Sequence, residues 1–417
     1  MKTVIMAGGK GTRIASVNAD VPKPMIEIAG KPVLEHTIEC LRSQGFDDVI
    51  ITVSHMADVI MNHFGDGKNF GVKIEYYVED KPLGNAGALF RLRNKLGERF
   101  LLLNADVIFD VDLNRFAEYH ADKHALATLF THPNSHPYDS GIIIADKNNS
   151  VTQWLTKEDS RPQWYRNRVN AGIHIIESYA LDDVDTEGHE KIDLDRQILK
   201  PLCNSGRVFC YDSPEYVKDM GTPERYTQVQ NDFISGRVHA RNLTHKQKAV
   251  FLDRDGTINK LVGFLRNIDE FELLPNVPEA IRRINSSGYL AIVVTNQPVI
   301  ARGEVSVSEL EEIHNKMETL LGHEGAYLDA IYYCPHHPHK GYAGEIPELK
   351  IECDCRKPKP GMLLQAANDF NIDLSQSWMI GDSENDILAG KSAGCKTGLI
   401  GSDYDSLYDF VLKEIAS

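Results

Sequence analysis

Short apolar runs alternate with helix-length amphipathic stretches along nearly the whole chain, and this alternation limits the fold more than any other feature. In the first half "TVIMAG", "DVIITVS", "RFLLLNAD" and "NAGIHII" read as strands; in the second half "KAVFLD", "YLAIVVTN", "SWMIGD" and "KTGLIG" do. Stretches such as "PVLEHTIECLRSQG" and "LLQAANDFN" carry apolar residues at helical spacing. Strands alternating with helices predict an α/β architecture with largely parallel sheets. At 417 residues the chain is too long for one ordinary core. The polar, basic stretch "SGRVHARNLTHKQK" separates two strand-first units. The expected division is therefore a domain over 1–235, a linker over 236–247 and a second domain over 248–417.

Composition excludes several classes of function. Hydrophobic residues make up 42% and charged residues 25%, the balance of a soluble globular chain. No run approaches the ~18 apolar residues of a membrane span, and "MKTVIMAGG" reads as a first strand rather than a signal peptide. A cytoplasmic enzyme without a membrane partner is expected. The formal net charge of −15 argues against a nucleic-acid partner. It also means that any phosphate site must bring its own cations. Cys40, Cys203, Cys210 and Cys395 read as free thiols, whereas Cys334, Cys353 and Cys355 lie close enough in sequence to suggest a metal.

In "MAGGKGTRIASVNADVPKPM" the glycines Gly8, Gly9 and Gly11 follow a strand directly. Glycine there lets backbone N–H groups approach phosphate oxygens. Arg13 and Lys23 add cations, and the prolines on either side of Lys23 hold it in an extended segment. This run resembles the signature of the sugar-1-phosphate nucleotidylyltransferases. The resemblance continues through "EDKPLGNAGAL", "LLLNADVIFD", "NAGIHII" and "VKDMGTPERY" and covers about residues 1–232. It implies that Gly84 and Asn85 lie against the nucleotide, that Gly172 lies at the sugar, and that Asp106 and Asp219 hold a catalytic Mg2+. Arg13 would stabilise departing pyrophosphate and Lys23 the reacting phosphates. Lys157 stands where relatives carry a sugar-phosphate lysine, and a surface lysine accounts for it equally well.

In "VFLDRDGT" a hydrophobic strand ends in Asp253 and Asp255, two residues apart and so on one side of extended backbone. An ordinary polar turn would explain these two alone. Three further strand-end elements argue for more: Thr295 and Asn296 in "IVVTNQ", Arg356 and Lys357 in "CRKPKPGM", and Asp382 with Asp386 in "MIGDSENDI". In that order they resemble the four motifs of the haloacid dehalogenase-like phosphatases. The resemblance implies that Asp253 is the nucleophile and Asp255 the general acid and base. Thr295 and Lys357 would orient the phosphoryl oxygens, and a Mg2+ would be held by Asp253, Asp382 and the Asp255 carbonyl. Asp386 is expected to position Lys357 or a metal-bound water.

Cys334, His336, Cys353 and Cys355 form a C-x-H, then C-x-C pattern suited to structural Zn2+, with His337 and His339 as alternative ligands. With "DRDGTIN" and "TNQPVIARGE", this loop resembles the D-glycero-D-manno-heptose 1,7-bisphosphate phosphatases and the related histidinol-phosphate phosphatases. Arg302 and Arg356 are candidates for a second substrate phosphate, while Pro298 and Val299 depart from the usual S-G.

The two resemblances together imply an N-terminal Rossmann-like nucleotidyltransferase fold and a C-terminal haloacid dehalogenase-like Rossmannoid fold with a zinc loop. They imply two consecutive steps: removal of the 7-phosphate of heptose 1,7-bisphosphate, then transfer of GMP from GTP to heptose 1-phosphate. Several alternatives remain. Mannose 1-phosphate could be the acceptor, the phosphatase could be of the histidinol-phosphate type, and the first half could be a nucleotide-sugar sensor. The second half could also be a zinc-clamped scaffold for oligomerisation; a homo-oligomer is left open.

Overall fold

The computed structural model describes residues 1–9, 21–156, 158–182, 184 and 191–415. Gly11, Arg13 and Lys157 lie outside them. The chain is mixed α/β and divides into two compact units. The first comprises Met1–His132, Ile143–Trp154 and Asn170–Asn242, and the second comprises Pro133–Ile142, Leu155–Val169 and Leu243–Ser417.

Among the described residues the sheet of the first unit has nine strands. Arg99–Asn104, Lys2–Met6, Asp48–Val53 and Lys73–Val78 run parallel in that spatial order, with Lys73–Val78 at the edge, and Val169–Glu177 joins antiparallel beside Arg99–Asn104. Apolar side chains alternate between two buried layers. Ile5, Leu101 and Leu103 enter one core; Val4, Phe100 and Leu102 enter the other. A sheet covered on both faces explains why the strands read as continuous apolar runs rather than as alternating ones.

Five parallel strands form the sheet of the second unit, in the spatial order Ala330–Cys334, Tyr289–Asn296, Lys248–Leu252, Trp378–Gly381, Lys396–Leu399. By sequence that order is 3-2-1-4-5, a doubly wound sheet. Its direction of winding reverses beside Lys248–Leu252, and ligands of such sheets sit outside the carboxyl ends at that reversal. Asp253 and Asp382 immediately follow the two strands that flank it.

Two stretches assigned by sequence to the first half cluster with the second unit. Within it, Thr319 Oγ1 of the Val307–His323 helix accepts from Tyr165 N at 2.9 Å and donates to Tyr165 O at 3.0 Å. The expected linker is not extended. Gly236, at φ 77°, ends the Pro223–Ile234 helix, and Arg237–Ala240 adds a short helical turn. Asp110 holds that turn through His239 Nδ1 at 2.8 Å and Asn242 Nδ2 at 2.6 Å.

Gly390 lies inside the Glu384–Ala393 helix, where alanine would normally stabilise. Here a Cβ would come within 2.6 Å of both Met379 Cβ and Thr397 Cγ2. Overpacking decides the sign. Gly390→Ala should destabilise the second unit by about 1–3 kcal/mol, read as a lower denaturant midpoint.

Candidate active sites and a candidate zinc centre

In the first unit the strand ends converge on a cleft of about 690 Å³, within the range of small-molecule sites. Gly8, Gly9, Lys23, Asn85 and Asp106 are among its walls. The Pro22 backbone (φ −65°) leads into a 3-10 turn at Lys23–Met25, and Lys23 Nζ reaches Asp106 Oδ2 at 2.5 Å. Asp219 pairs across the sheet with Val107, the residue after Asp106, so the two carboxylates leave neighbouring backbone. Asp219 is itself held by Arg225 Nη1 at 3.0 Å and by Gly221 N at 2.8 Å. Burial would raise its pKa, but Arg225, the Gly221 N–H and Lys23 outweigh that and hold the carboxyl below its ordinary range. Each acid thus faces a cation of the protein. Arg225 was missed from the sequence; its signal was an arginine in the first turn of the helix that Thr222 caps.

Gly84, Asn85 and Gly172 have local structural roles. At Gly84 (φ +83°) a Cβ would lie 2.3 Å from Ile192 O, and Asn85 Oδ1 accepts from Leu194 N at 2.7 Å. Together they lock the Leu194–Leu199 π-helical segment beside the cleft. At Gly172 (φ +74°) a Cβ would lie 2.4 Å from Asn104 Nδ2, so Asn104 closes against glycine.

In the second unit a cleft of about 270 Å³ has Asp253, Thr295, Asn296, Arg356, Lys357 and Asp382 among its walls. Lys357 Nζ is the hub. It donates to Asp253 Oδ1 at 2.7 Å and to Val294 O at 2.8 Å, and it lies 2.5 Å from Asp386 Oδ1. Burial pushes Asp253 up, against Lys357 and with Asp386. Burial also acts to lower Lys357, but Asp253 and Asp386 outweigh it and hold the ammonium above its ordinary range. Asn296 Oδ1 accepts from Lys357 N and its Nδ2 donates to Lys357 O, both at 3.0 Å, so it positions the lysine backbone.

The carboxylates of Asp253, Asp382 and Asp386 offer ligand atoms within 4.8 Å of one another. Three acids against one lysine leave excess negative charge, and an all-oxygen donor set suits Mg2+. The Asp255 side chain lies outside this group. Arg254, whose side chain is fully buried, needs an anion, and its Nη2 holds both Asp255 oxygens at 3.0 and 2.8 Å. Asn259 Nδ2 at 3.0 Å and Gln297 Nε2 at 2.9 Å complete the set, and Gln297 also donates to Thr295 Oγ1. Beyond them His314 Nε2 faces Arg254 Nη1 at 3.3 Å, and burial followed by Arg254 holds that imidazole neutral. Spacing could not reveal this network.

Cys334, His336, Cys353 and Cys355 also converge. The thiol sulfurs lie 3.2–3.5 Å apart, and His336 Nδ1 is 3.3 Å from Cys355 Sγ. Zn–S bonds of about 2.3 Å would put tetrahedral sulfurs about 3.8 Å apart, so a small expansion admits the ion. Hydrogen bonding from Cys334, then from Cys353 and His336, holds the Cys355 thiol below its ordinary range against its burial, while the same bond to Cys355, then burial, raises Cys334. His337 Nδ1 instead accepts from His339 N at 3.2 Å. Arg356 Nη1 donates to His336 O at 3.1 Å, tying the cluster to the cations that line the cleft.

A nucleotidyl transferase family model matches residues 2–236, and an HAD-hydrolase-like model matches 354–408. The D-glycero-beta-D-manno-heptose-1,7-bisphosphate 7-phosphatase of Haemophilus ducreyi is 45% identical over 155 residues, 37% of this chain and 82% of that protein. The protein of the same name from Escherichia coli K12 is 40% identical over 175 residues, covering 40% and 90%. The chain belongs to the nucleotidyl transferase family and to that of these phosphatases. HddC from Yersinia pseudotuberculosis matches as a structure with 27% identity and a TM-score of 0.48, over 56% of this chain and 99% of its own. The protein is thus a nucleotidyltransferase and a phosphatase on one chain. Among the described residues no helix is long and apolar enough to cross a membrane.

Two tests follow. At Gly256 (φ +83°) a Cβ would lie 2.0 Å from Asp382 Oδ2. Gly256→Ala should lower phosphate release by about 100-fold or more and leave pyrophosphate release unchanged in parallel assays. Elemental analysis should find one zinc per chain, and Cys353→Ser should lose it and lower phosphatase activity.

Proposed function

We propose that the second unit removes the 7-phosphate of D-glycero-D-manno-heptose 1,7-bisphosphate and that the first transfers GMP from GTP to the resulting heptose 1-phosphate. Support comes from the Asp253–Lys357–Asp386 hub at the sheet's carboxyl edge, in a chain whose other half is a nucleotidyl transferase. A phosphatase that leaves a sugar 1-phosphate supplies the substrate of its neighbour. A histidinol-type phosphatase would share no such product.

In the phosphatase, Asp253 attacks phosphorus, forming an aspartyl phosphate and breaking the bond to the sugar oxygen. Asp255 delivers a proton to that leaving oxygen and then takes one from the attacking water. To do so it must turn from the Arg254 fork, which Asn259 and Gln297 share. Lys357 and Thr295 hold the phosphoryl oxygens. In the transferase, Lys23 exchanges Asp106 for phosphate oxygens, the sugar phosphate attacks the α-phosphorus and pyrophosphate leaves, with no protein nucleophile. Arg13 is assigned to the pyrophosphate by resemblance. A divalent metal would be held by Asp106 and Asp219 in one site and by Asp253, Asp382 and the Asp255 backbone carbonyl in the other, and would supply the positive charge that lets anions meet.

The heptose 1-phosphate enzymes that the first half resembles use GTP, which implies the α-anomer, whereas the phosphatase relatives are named for the β-anomer. The deciding experiment offers each bisphosphate anomer with each nucleoside triphosphate and Mg2+ and weighs the nucleotide sugar by mass spectrometry. A GDP-heptose is expected; pyrophosphate release with none of them would end the proposal. Asp253→Asn should abolish phosphate release and spare pyrophosphate release from supplied heptose 1-phosphate, and Asp106→Asn the reverse, each by about 1,000-fold or more.

A further inference from the structure

Asp255 sits among side chains that only donate. Its Oδ1 accepts from Arg254 Nη2 and Asn259 Nδ2, each at 3.0 Å, and from Arg254 Nε at 3.2 Å. Its Oδ2 accepts from Arg254 Nη2 at 2.8 Å and from Gln297 Nε2 at 2.9 Å. Guanidinium and amide nitrogens cannot accept, so this seat fits a carboxylate and fixes both of its oxygens. Local backbone builds it: Thr257, Ile258 and Asn259 all donate their N–H to Arg254 O, which turns the chain and brings Asn259 back to Asp255. The Arg254 side chain is 0% exposed, and His314 Nε2 lies 3.3 Å from its Nη1.

Gln297 joins this seat to the phosphoryl site. It follows the Tyr289–Asn296 strand, is buried, and donates its backbone N–H to Cys334 O at 2.8 Å. Nε2 carries two hydrogens and directs one to Asp255 Oδ2 and the other to Thr295 Oγ1, at 3.0 Å. The carboxylate decides which way the amide faces, since only its nitrogen end can donate. Thr295 Oγ1, having accepted that hydrogen, keeps its own proton for a different acceptor. Asp255, Thr295 and Gln297 all line the phosphatase cleft, so that proton is available to a phosphoryl oxygen there. One amide thus fixes both the hydroxyl that holds the phosphoryl group and the carboxylate that moves the protons.

We propose that Gln297, with Arg254 as its anchor, is a positioning residue of the phosphatase that sets Asp255 and Thr295 relative to one another. It fixes the position from which Asp255 turns toward the phosphoryl group, for the proton given and for the proton taken. This rests on the aspartyl-phosphate reading above and adds Gln297 and Arg254 to it.

The test uses the full chain, Mg2+ and p-nitrophenyl phosphate, with which the two proton transfers separate. p-Nitrophenolate leaves with the electron pair of the broken phosphorus–oxygen bond and needs no proton. Hydrolysis of the aspartyl phosphate still needs Asp255 to take a proton from the attacking water as the bond from phosphorus to Asp253 breaks. Gln297→Met, close to glutamine in length, should therefore release p-nitrophenolate in a burst of one per chain. It should then turn over about 10- to 100-fold more slowly than the unsubstituted chain, with phosphoenzyme accumulating in acid-quenched samples. Gln297→Glu, which keeps the shape and removes the donor, should behave in the same way. In an Asp255→Asn chain, Gln297→Met should leave the residual turnover unchanged. Loss of burst and turnover together, an unchanged turnover, or a further loss on top of Asp255→Asn would overturn the assignment. Phosphate release that survives Asp253→Asn would instead overturn the aspartyl-phosphate reading.

Discussion

Each unit ends a buried strand in a carboxylate and holds it with a lysine from elsewhere in the chain. Asp106 is met by Lys23, 83 residues away, and Asp253 by Lys357, 104 residues away. Both reactions bring anions onto anions, so each site must present positive charge without collapsing around its acids. A lysine paired with the acid does this, because phosphate can replace one partner without leaving the other bare in a low-dielectric pocket.

The two sites differ in how far that balance is carried. In the first unit Lys23 and Arg225 match Asp106 and Asp219 one for one. In the second, Lys357 is shared by Asp253 and Asp386, and Asp382 adds a third acid. The second site therefore carries an excess of acid that the first does not. The Cys334–His336–Cys353–Cys355 cluster lies in the loop whose next residues are Arg356 and Lys357, and Arg356 Nη1 donates to His336 O within it.

Much of the architecture was legible because strand periodicity is local. The runs "AVFL" (249–252) and "AIVV" (291–294) are apolar throughout because two cores enclose the sheet, and each stops where polar residues reach the carboxyl edge. What escaped detection depends on contacts with no sequence spacing. Arg254 carries no signal of its own between Asp253 and Asp255, and its buried guanidinium orients Asp255 through space. Asn296 stands beside Thr295 at a strand end, and no spacing announces that it grips the Lys357 backbone. The stretches 133–142 and 155–169 carry no mark that would assign them to the second unit. The polar composition of 236–247, which reads as a linker, hid the helical turn at Arg237–Ala240.

Asp386 gives one oxygen to the N–H and hydroxyl of Ser383, closing the start of the Glu384–Ala393 helix, and the other to Lys357. In the mechanism proposed above, folding and turnover therefore draw on a single side chain. Gly381 leaves no room for a bulkier neighbour, since a Cβ there would lie 2.3 Å from that carboxyl. Drift at this position cannot exchange a little stability for a little activity, as a surface residue can. Whatever selection maintains the helix also maintains the chemistry, and neither can be tuned alone.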